Sequence, residues 1–333
     1  MANLLFCFFS LVLLIRIANG EFLIGSGLVG IGAAIGGAIH YVMNLKGNVE
    51  HCNPDWVSLN KTKLYSDINR RLYGQHLASD IIFKAIKGHL DNKTPKKALV
   101  LSFNGMTGTG KNYAGQIIVE SIYKKGLSSQ YVKLIIGSHD FKFWKELELR
   151  KFVLQHWITE IVSKCPRSLF IFDEVEKISP ELINILKPFL SHYPNVNGVD
   201  YRKSIFIFIG NTGADLINEE TIFYFQSRRR REDITIKQMD KVLSKDALNK
   251  VGGFLHSTLL DHQLIDYFVP FLPLEKHHVR KCIEDDLRQK NLPVNDIIVQ
   301  KVLSELLYYP GDSQWFSESG CKKVSSKVDQ YIE

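Results

Sequence analysis

Ala98-Leu-Val-Leu-Ser-Phe-Asn104-Gly105-Met-Thr-Gly108-Thr-Gly110-Lys111-Asn112 holds the strongest structural signal in this chain. The apolar run into Asn104 reads as a short buried strand. Gly105, Gly108 and Gly110 follow it, and only glycine reaches positive φ without steric cost, so a tight loop is expected there. Beyond Asn112 the apolar residues Ile117, Ile118 and Ile122 fall at helical spacing. Strand, glycine-rich loop with a lysine, then helix is an arrangement that cradles phosphate. Backbone N–H groups and the helix N-terminus face the anion, and Lys111 neutralises its outer oxygens. Gly105, Met106, Thr107, Gly108, Thr109, Gly110, Lys111 and Asn112 are therefore assigned to a nucleotide. The motif ends in Asn112 where a hydroxyl residue is usual, and an amide oxygen can still face a metal ion or its water.

Two further strands carry polar tips in the order such a site needs. Ser168-Leu-Phe-Ile-Phe172 reads as a strand buried on both faces, as in a parallel sheet, and it ends in Asp173-Glu174. Doubly wound folds place ligands at that end. Asp173 is expected in a magnesium shell and Glu174 as the group that polarises an attacking water. Ser204-Ile-Phe-Ile-Phe-Ile209 ends in Gly210-Asn211, whose amide can orient a water toward the γ-phosphate. Phosphate loop, acidic pair and polar strand tip together describe an ATPase core.

Around these strands, residues 64–72, 78–90 and 146–161 read as helices and Val132–Ile136 as another strand. Past Pro270-Phe-Leu-Pro273, taken as a hinge, residues 274–289, 294–307 and 315–331 read as a small helical second domain. Within it, Gly320-Cys321-Lys322 sits at a helix start; from its neighbours alone, Lys322 is a surface lysine. Arg228 to Arg231 lacks interleaved aromatics and reads as a solvated loop, not a nucleic-acid surface.

At 333 residues about two domains of ~150 residues are expected. Residues 1–20 read as a signal peptide, with an apolar core from Leu4 to Ile15 and small residues before Gly20. Residues 21–45 form a second apolar stretch, rich in glycine and free of charge from Phe22 to Leu45, read as membrane-associated. Its Gly25-Ser-Gly27-Leu-Val-Gly30 matches a dinucleotide fingerprint but has no strand–loop–helix around it. Cys52, Cys165, Cys282 and Cys321 remain after the leader and allow three pairings. None has zinc-ligand spacing, and no metal cluster is expected among the histidines. Asn60 and Asn92 begin glycan acceptor tripeptides, of which the second is stiffened by Pro95.

Together these residues resemble the torsins, the luminal branch of the Clp-like AAA+ ATPases, from about Cys52 to the end. The phosphate loop, Asp173-Glu174, Asn211 as first sensor and Gly320-Cys321-Lys322 as second sensor all match that pattern. So do Gly74-Gln75, the Clp-type dipeptide near the adenine, and Phe268-Val-Pro-Phe-Leu-Pro273. The resemblance implies an α/β P-loop AAA+ core over residues 52–270, a parallel sheet flanked by helices, and a helical lid over residues 271–333. It implies ATP and magnesium, catalytic roles for Glu174, Asn211 and Lys322, and a redox-sensitive Cys282–Cys321 bridge beside a Cys52–Cys165 pair. It also implies a ring-forming, chaperone-like protein, peripheral to the membrane, in the lumen of the endoplasmic reticulum and the perinuclear space. Clp-type relatives carry an arginine finger ahead of the hinge, where this chain has Gln263-Leu264-Ile265-Asp266. A missing finger costs roughly 10³–10⁵ in turnover, about 4–7 kcal/mol. Weak hydrolysis is expected until the luminal domain of a lamina-associated-polypeptide-type membrane protein supplies the arginine. No aromatic-glycine pore loop is evident after the second strand, which argues against polypeptide threading. The alternative is a non-catalytic, nucleotide-gated scaffold, which would need no Glu174.

Overall fold

A computed structural model describes residues 49–141, 146–249, 264–311 and 313–332. The leader (1–20), the apolar stretch (21–45) with its glycine fingerprint, and Gln263 lie outside the described residues. Among those described, no helix is long and apolar enough to cross a membrane.

Helices α1 (Lys61–Arg71) and α2 (His76–Asp91) precede β1 (Leu99–Gly105), which runs into α3 (Lys111–Ile122). Next come β2 (Val132–Ile136), α4 (Leu147–Lys164) and β3 (Leu169–Asp173). Then follow β4 (Ile205–Gly210), α5 (Ala214–Gln226), α6 (Ile236–Asn249) and β5 (Tyr267–Phe271). The strands pair in the order β2-β3-β4-β1-β5, and every neighbouring pair is parallel.

β1 lies between β4 and β5 and is buried at all seven residues, which is why its sequence is apolar without alternation. Leu99, Leu101 and Phe103 face a core shared with Leu64, Ile82 and Ile118 from α1, α2 and α3. Val100 faces the opposite core, with Phe170, Phe172, Phe206 and Phe208. There Phe170 stacks on Phe206 at 4.9 Å and Phe172 on Phe208 at 5.0 Å, in register across β3 and β4. This layered packing holds the C-terminal tips of β1, β3 and β4 side by side.

The Pro270–Pro273 hinge is corrected: Tyr267–Phe271 is the fifth strand, paired with β1. Proline has no N–H to donate, but an edge strand bonds on one side only and tolerates it. Beyond β5 lie α7 (Lys276–Gln289), α8 (Asp296–Glu305), β6 (Tyr308–Tyr309), β7 (Phe316–Ser317) and α9 (Val324–Val328). Val279, Ile283, Val299, Val302 and Val328 give this lid its own apolar cluster. The helix expected over residues 315–331 is also corrected. Phe316 pairs antiparallel with Tyr309, and Gly320 turns the chain at φ +51° before the short α9.

The solvated-loop reading of the arginine run holds for part of it only. Arg230 pairs with Asp233 at the surface, but Arg231 is buried, 4% exposed. Its guanidinium donates to the carbonyls of Gly74 (2.8 Å) and Pro273 (2.7 Å) and to Glu275 Oε1 (3.0 Å). A buried guanidinium is tolerable only with its donors satisfied, and here they join the start of α2 to the start of the lid.

Candidate nucleotide site

At the end of β1, Gly105 must be glycine because a Cβ would strike the Phe271 carbonyl oxygen of the neighbouring strand. Gly110 takes a left-handed conformation (φ +104°) as the N-cap of α3, leaving the first N–H groups of that helix facing the loop. Lys111, 7% exposed, folds back over the loop. Its Nζ donates to the carbonyls of Gly105 (2.6 Å) and Met106 (2.7 Å) and to Asn211 Oδ1 (3.2 Å). Burial pushes the Lys111 ammonium down to about 8, with Glu176 and Asp173 opposing the shift. An ammonium resting on neutral carbonyls is poised to exchange them for phosphoryl oxygens, which carry charge.

The tips of β3 and β4 complete the wall. Asn112 Nδ2 donates to Asp173 Oδ2 at 2.6 Å, and Asp173 Oδ1 accepts from the Glu174 N–H at 2.9 Å. Glu174 holds a left-handed backbone (φ +52°), and its Oε2 is buried with no hydrogen-bond partner. Such a backbone costs on the order of 1 kcal/mol in a non-glycine residue and accumulates at functional sites. Asp173 and Asn112 offer one carboxylate and one amide oxygen. That donor set suits a magnesium ion held largely by water and phosphate.

A cleft of about 570 Å³ is lined by Thr107, Gly108, Lys111, Asp173, Glu174, Asn211 and Lys322 among others. The structure thus brings the glycine-rich loop, Asp173, Glu174, Asn211 and Lys322 to one place. Lys322 arrives from the lid because the turn before α9 packs directly on the phosphate loop. The Cys321 N–H donates to the Gly108 carbonyl at 3.0 Å, and Gly108 and Gly320 approach so closely that a Cβ on either would overlap the other's segment. A second cleft of about 250 Å³ shares Gly108, Gly110, Tyr113 and Cys321 with the first and is walled by Leu72, Tyr73, Leu274 and Val324. One cleft with cationic and acidic groups and an adjoining one with apolar walls suit a triphosphate and its nucleoside.

Gly74 and Gln75 line neither cleft. Gln75 is buried; its Nε2 donates to the carbonyls of Thr109 (3.1 Å) and Leu272 (2.8 Å), while its Oε1 accepts from the Leu272 N–H (2.8 Å). Gly74, at φ +70°, lies under the His278 ring. Gln75 thus braces the loop from behind, while the Gly74 carbonyl accepts from Arg231. Met106 points away from the cleft wall, its sulfur accepting from Asn218 Nδ2 (2.6 Å) and the Tyr309 hydroxyl (3.2 Å). Tyr113 and Glu176 are among the cleft-lining residues that the sequence analysis does not name. Glu176 is legible as the third acid of Asp173-Glu174-Val175-Glu176; Tyr113 carries no local signal.

Disulfides join Cys52 to Cys165 and Cys282 to Cys321, the pairing the resemblance implied, and the second pair lines the smaller cleft. Glu275, His277 and His278 come within ligand distance of one another, but Glu275 is already paired with Arg231. Asn60 and Asn92 are both exposed, and each uses its Oδ1 locally, from Lys63 N–H and Thr94 N–H. Ahead of β5, Leu264 is buried and Asp266 accepts from the Val100 N–H (2.8 Å) and Lys97 Nζ (2.7 Å), so this segment ties down β1.

Comparison with known proteins agrees with this geometry. The torsin family model matches residues 48–172, and the model of the Torsin-1A C-terminal domain matches residues 274–331. A torsin-like protein of Caenorhabditis elegans is 41% identical over 283 residues, spanning 84% of this chain and 80% of that protein. Among solved structures, Saccharomyces cerevisiae Hsp104 bound to ADP superposes with a TM-score of 0.57 at 15% identity, over 82% of this chain. The Hsp104–casein complex gives 0.59 at 17% identity, over 83% of this chain. The chain spans about half the length of Hsp104, 46% in both comparisons, and the likeness is one of fold. Sequence, parallel sheet and helical lid agree: this chain belongs to the torsin family of AAA+ ATPases.

Proposed function

We propose that this chain is an ATP-dependent, chaperone-like remodeller of protein or membrane assemblies in the lumen of the endoplasmic reticulum and the perinuclear space. Its own turnover is weak, and an activator raises it by supplying an arginine in trans. One observation carries this reading. Lys111, Asp173, Glu174, Asn211 and Lys322 converge on one cleft, while residues 264–266 contain no arginine to complete a neighbouring site. The two disulfides favour an oxidising compartment.

The chain's residues divide the work. Backbone N–H groups of the loop and of α3 hold the β- and γ-phosphates, and Lys111 leaves its carbonyl partners to pair with them. Glu174 takes a proton from the attacking water, and its buried, unpartnered Oε2 is suited to do so. Asn211 orients that water, and Lys322 stabilises charge from the lid side. Magnesium, when bound through Asp173 and Asn112, supplies charge neutralisation between the phosphates. The scaffold alternative has no use for Glu174 in a left-handed turn.

The test measures ATP turnover by the purified chain with and without the luminal domain of a lamina-associated-polypeptide-type protein. Little turnover alone and a rise of roughly 10³-fold or more with the activator is the expected result. Glu174→Gln should retain ATP without cleaving it. Rapid hydrolysis by the isolated chain would overturn the activator reading.

A further inference from the structure

Glu176 has no part in the roles described so far. It sits in the single helical turn Val175–Lys177 after the acidic pair and lines the larger cleft beside Lys111, Asp173 and Asn211. Its Oε1 accepts from Asn211 Nδ2 at 3.0 Å. The other end of the same amide, Asn211 Oδ1, accepts from Lys111 Nζ at 3.2 Å. An amide set between a carboxylate and an ammonium has one favourable orientation, because the flipped one opposes like dipoles and charges at both ends. Gly210 makes the space for this contact. A Cβ there would lie 3.0 Å from Glu176 Oε2 and 2.7 Å from the Val175 side chain. Glu176 Oε2 is buried and has no hydrogen-bond partner, so Asn211 is the polar group that this carboxylate engages. Glu176 is also the carboxylate that most strongly opposes the loss of charge on buried Lys111.

We infer that Glu176 is a positioning residue for hydrolysis: its carboxylate locks the Asn211 amide with Oδ1 turned toward the phosphoryl end of the cleft. This rests on the ATPase reading above. When Lys111 turns from Asn211 Oδ1 to a phosphoryl oxygen, that oxygen becomes a free acceptor aimed into the cleft. It takes a hydrogen bond from the attacking water and leaves a water lone pair directed at phosphorus. The bond from the water oxygen to phosphorus forms, the bond to the β,γ-bridging oxygen breaks, and Glu174 accepts the water's proton. ADP and inorganic phosphate result. Without Glu176 the amide is free to turn its N–H₂ toward the water, which then accepts that hydrogen bond through the lone pair it needs for attack on phosphorus. Glu176 itself touches neither water nor phosphate.

The test is single-turnover ATP cleavage, with protein in excess, by wild type, Glu176→Ala, Glu176→Gln, Asn211→Ala and the Glu176→Ala/Asn211→Ala double variant. It is read together with ATP affinity and with the side-chain amide spectrum of nucleotide-free protein labelled with nitrogen-15 asparagine. Glu176→Ala should slow cleavage about 10- to 100-fold with ATP affinity unchanged within about threefold. Glu176→Gln keeps an oxygen that accepts from Asn211 and should restore most of the rate. The double variant should be no slower than Asn211→Ala alone, because both remove one function. In the nucleotide-free spectra the Asn211 amide resonance should move in Glu176→Ala and return in Glu176→Gln. A wild-type rate in Glu176→Ala, losses that multiply in the double variant, or an unmoved resonance overturns the assignment. A wild type that never cleaves ATP, even with the activating luminal domain present, overturns the ATPase reading instead.

Discussion

β1 and α3 hold the phosphate loop between paired strands, whereas the lid reaches the same cleft through the turn at residues 318–323. The first wall is continuous with a sheet bonded on both sides of β1 and buried on both faces. The second is held by the Cys282–Cys321 disulfide, by the Cys321 N–H to Gly108 carbonyl bond, and by a small apolar cluster of its own. Lys111 is therefore placed by a strand paired on both sides, and Lys322 by a turn held through the Cys282–Cys321 disulfide and the bond to Gly108. Nucleotide binding and lid engagement are separable by mutation for that reason.

The largest effect expected is on the sheet wall. Phe206→Ala empties a stacked position between β3 and β4 and should cost about 3–5 kcal/mol of stability. Val302→Ala in the lid cluster removes less buried surface and should cost clearly less; equal losses in chemical denaturation would show the two walls to be one cooperative core. Next is the lid's covalent tie. Cys321→Ser opens a loop closed over 39 residues and should cost about 3–4 kcal/mol by chain entropy, read as a lowered unfolding midpoint under oxidising conditions. The midpoint of the variant should no longer respond to reductant at the lid, while the Cys52–Cys165 tie remains.

Lys111→Met sharpens the contrast from the other side. It should weaken ATP binding by about 3 kcal/mol, roughly a hundredfold in Kd, without lowering the thermal midpoint. The ammonium is desolvated in the free protein and contributes little to its fold. A fall in the midpoint would mean that its contacts to Gly105 and Met106 are structural.

The smallest effect lies where the two walls meet. His278 packs over Gly74 with Arg231 nearby, and burial with that positive charge lowers its imidazole to about 2. The unfolded chain takes up this proton near pH 6.5 and the folded chain does not, so stability is full above that pH and is lost as pH falls. The loss should reach at most about 1.36 kcal/mol per pH unit, or about 2–3 kcal/mol by pH 4.5. Denaturation across pH 4.5–7 should show a steeper slope for wild type than for His278→Gln; identical slopes would exclude His278 as the source.

Features that depend on near neighbours can be read from the chain directly. The phosphate loop, the tips of β3 and β4, and the helices α1, α2, α4, α7 and α8 are written in local spacing, because apolar period and glycine φ act within a few residues. Which polar residues are interior depends on the folded contacts. Arg231 sits in a run of four arginines, and nothing beside it in the chain distinguishes it; Glu275 and the carbonyls of Gly74 and Pro273 do. Tyr267–Phe271 is a strand because β1 offers it an edge, and proline at that edge loses no bond. Gln75 proved a brace, and Glu176 an orienting partner of Asn211, because each finds its bonding partner at least 34 residues away. A side chain's environment is set by what folds against it, and long-range contacts of that kind leave no mark on the local pattern.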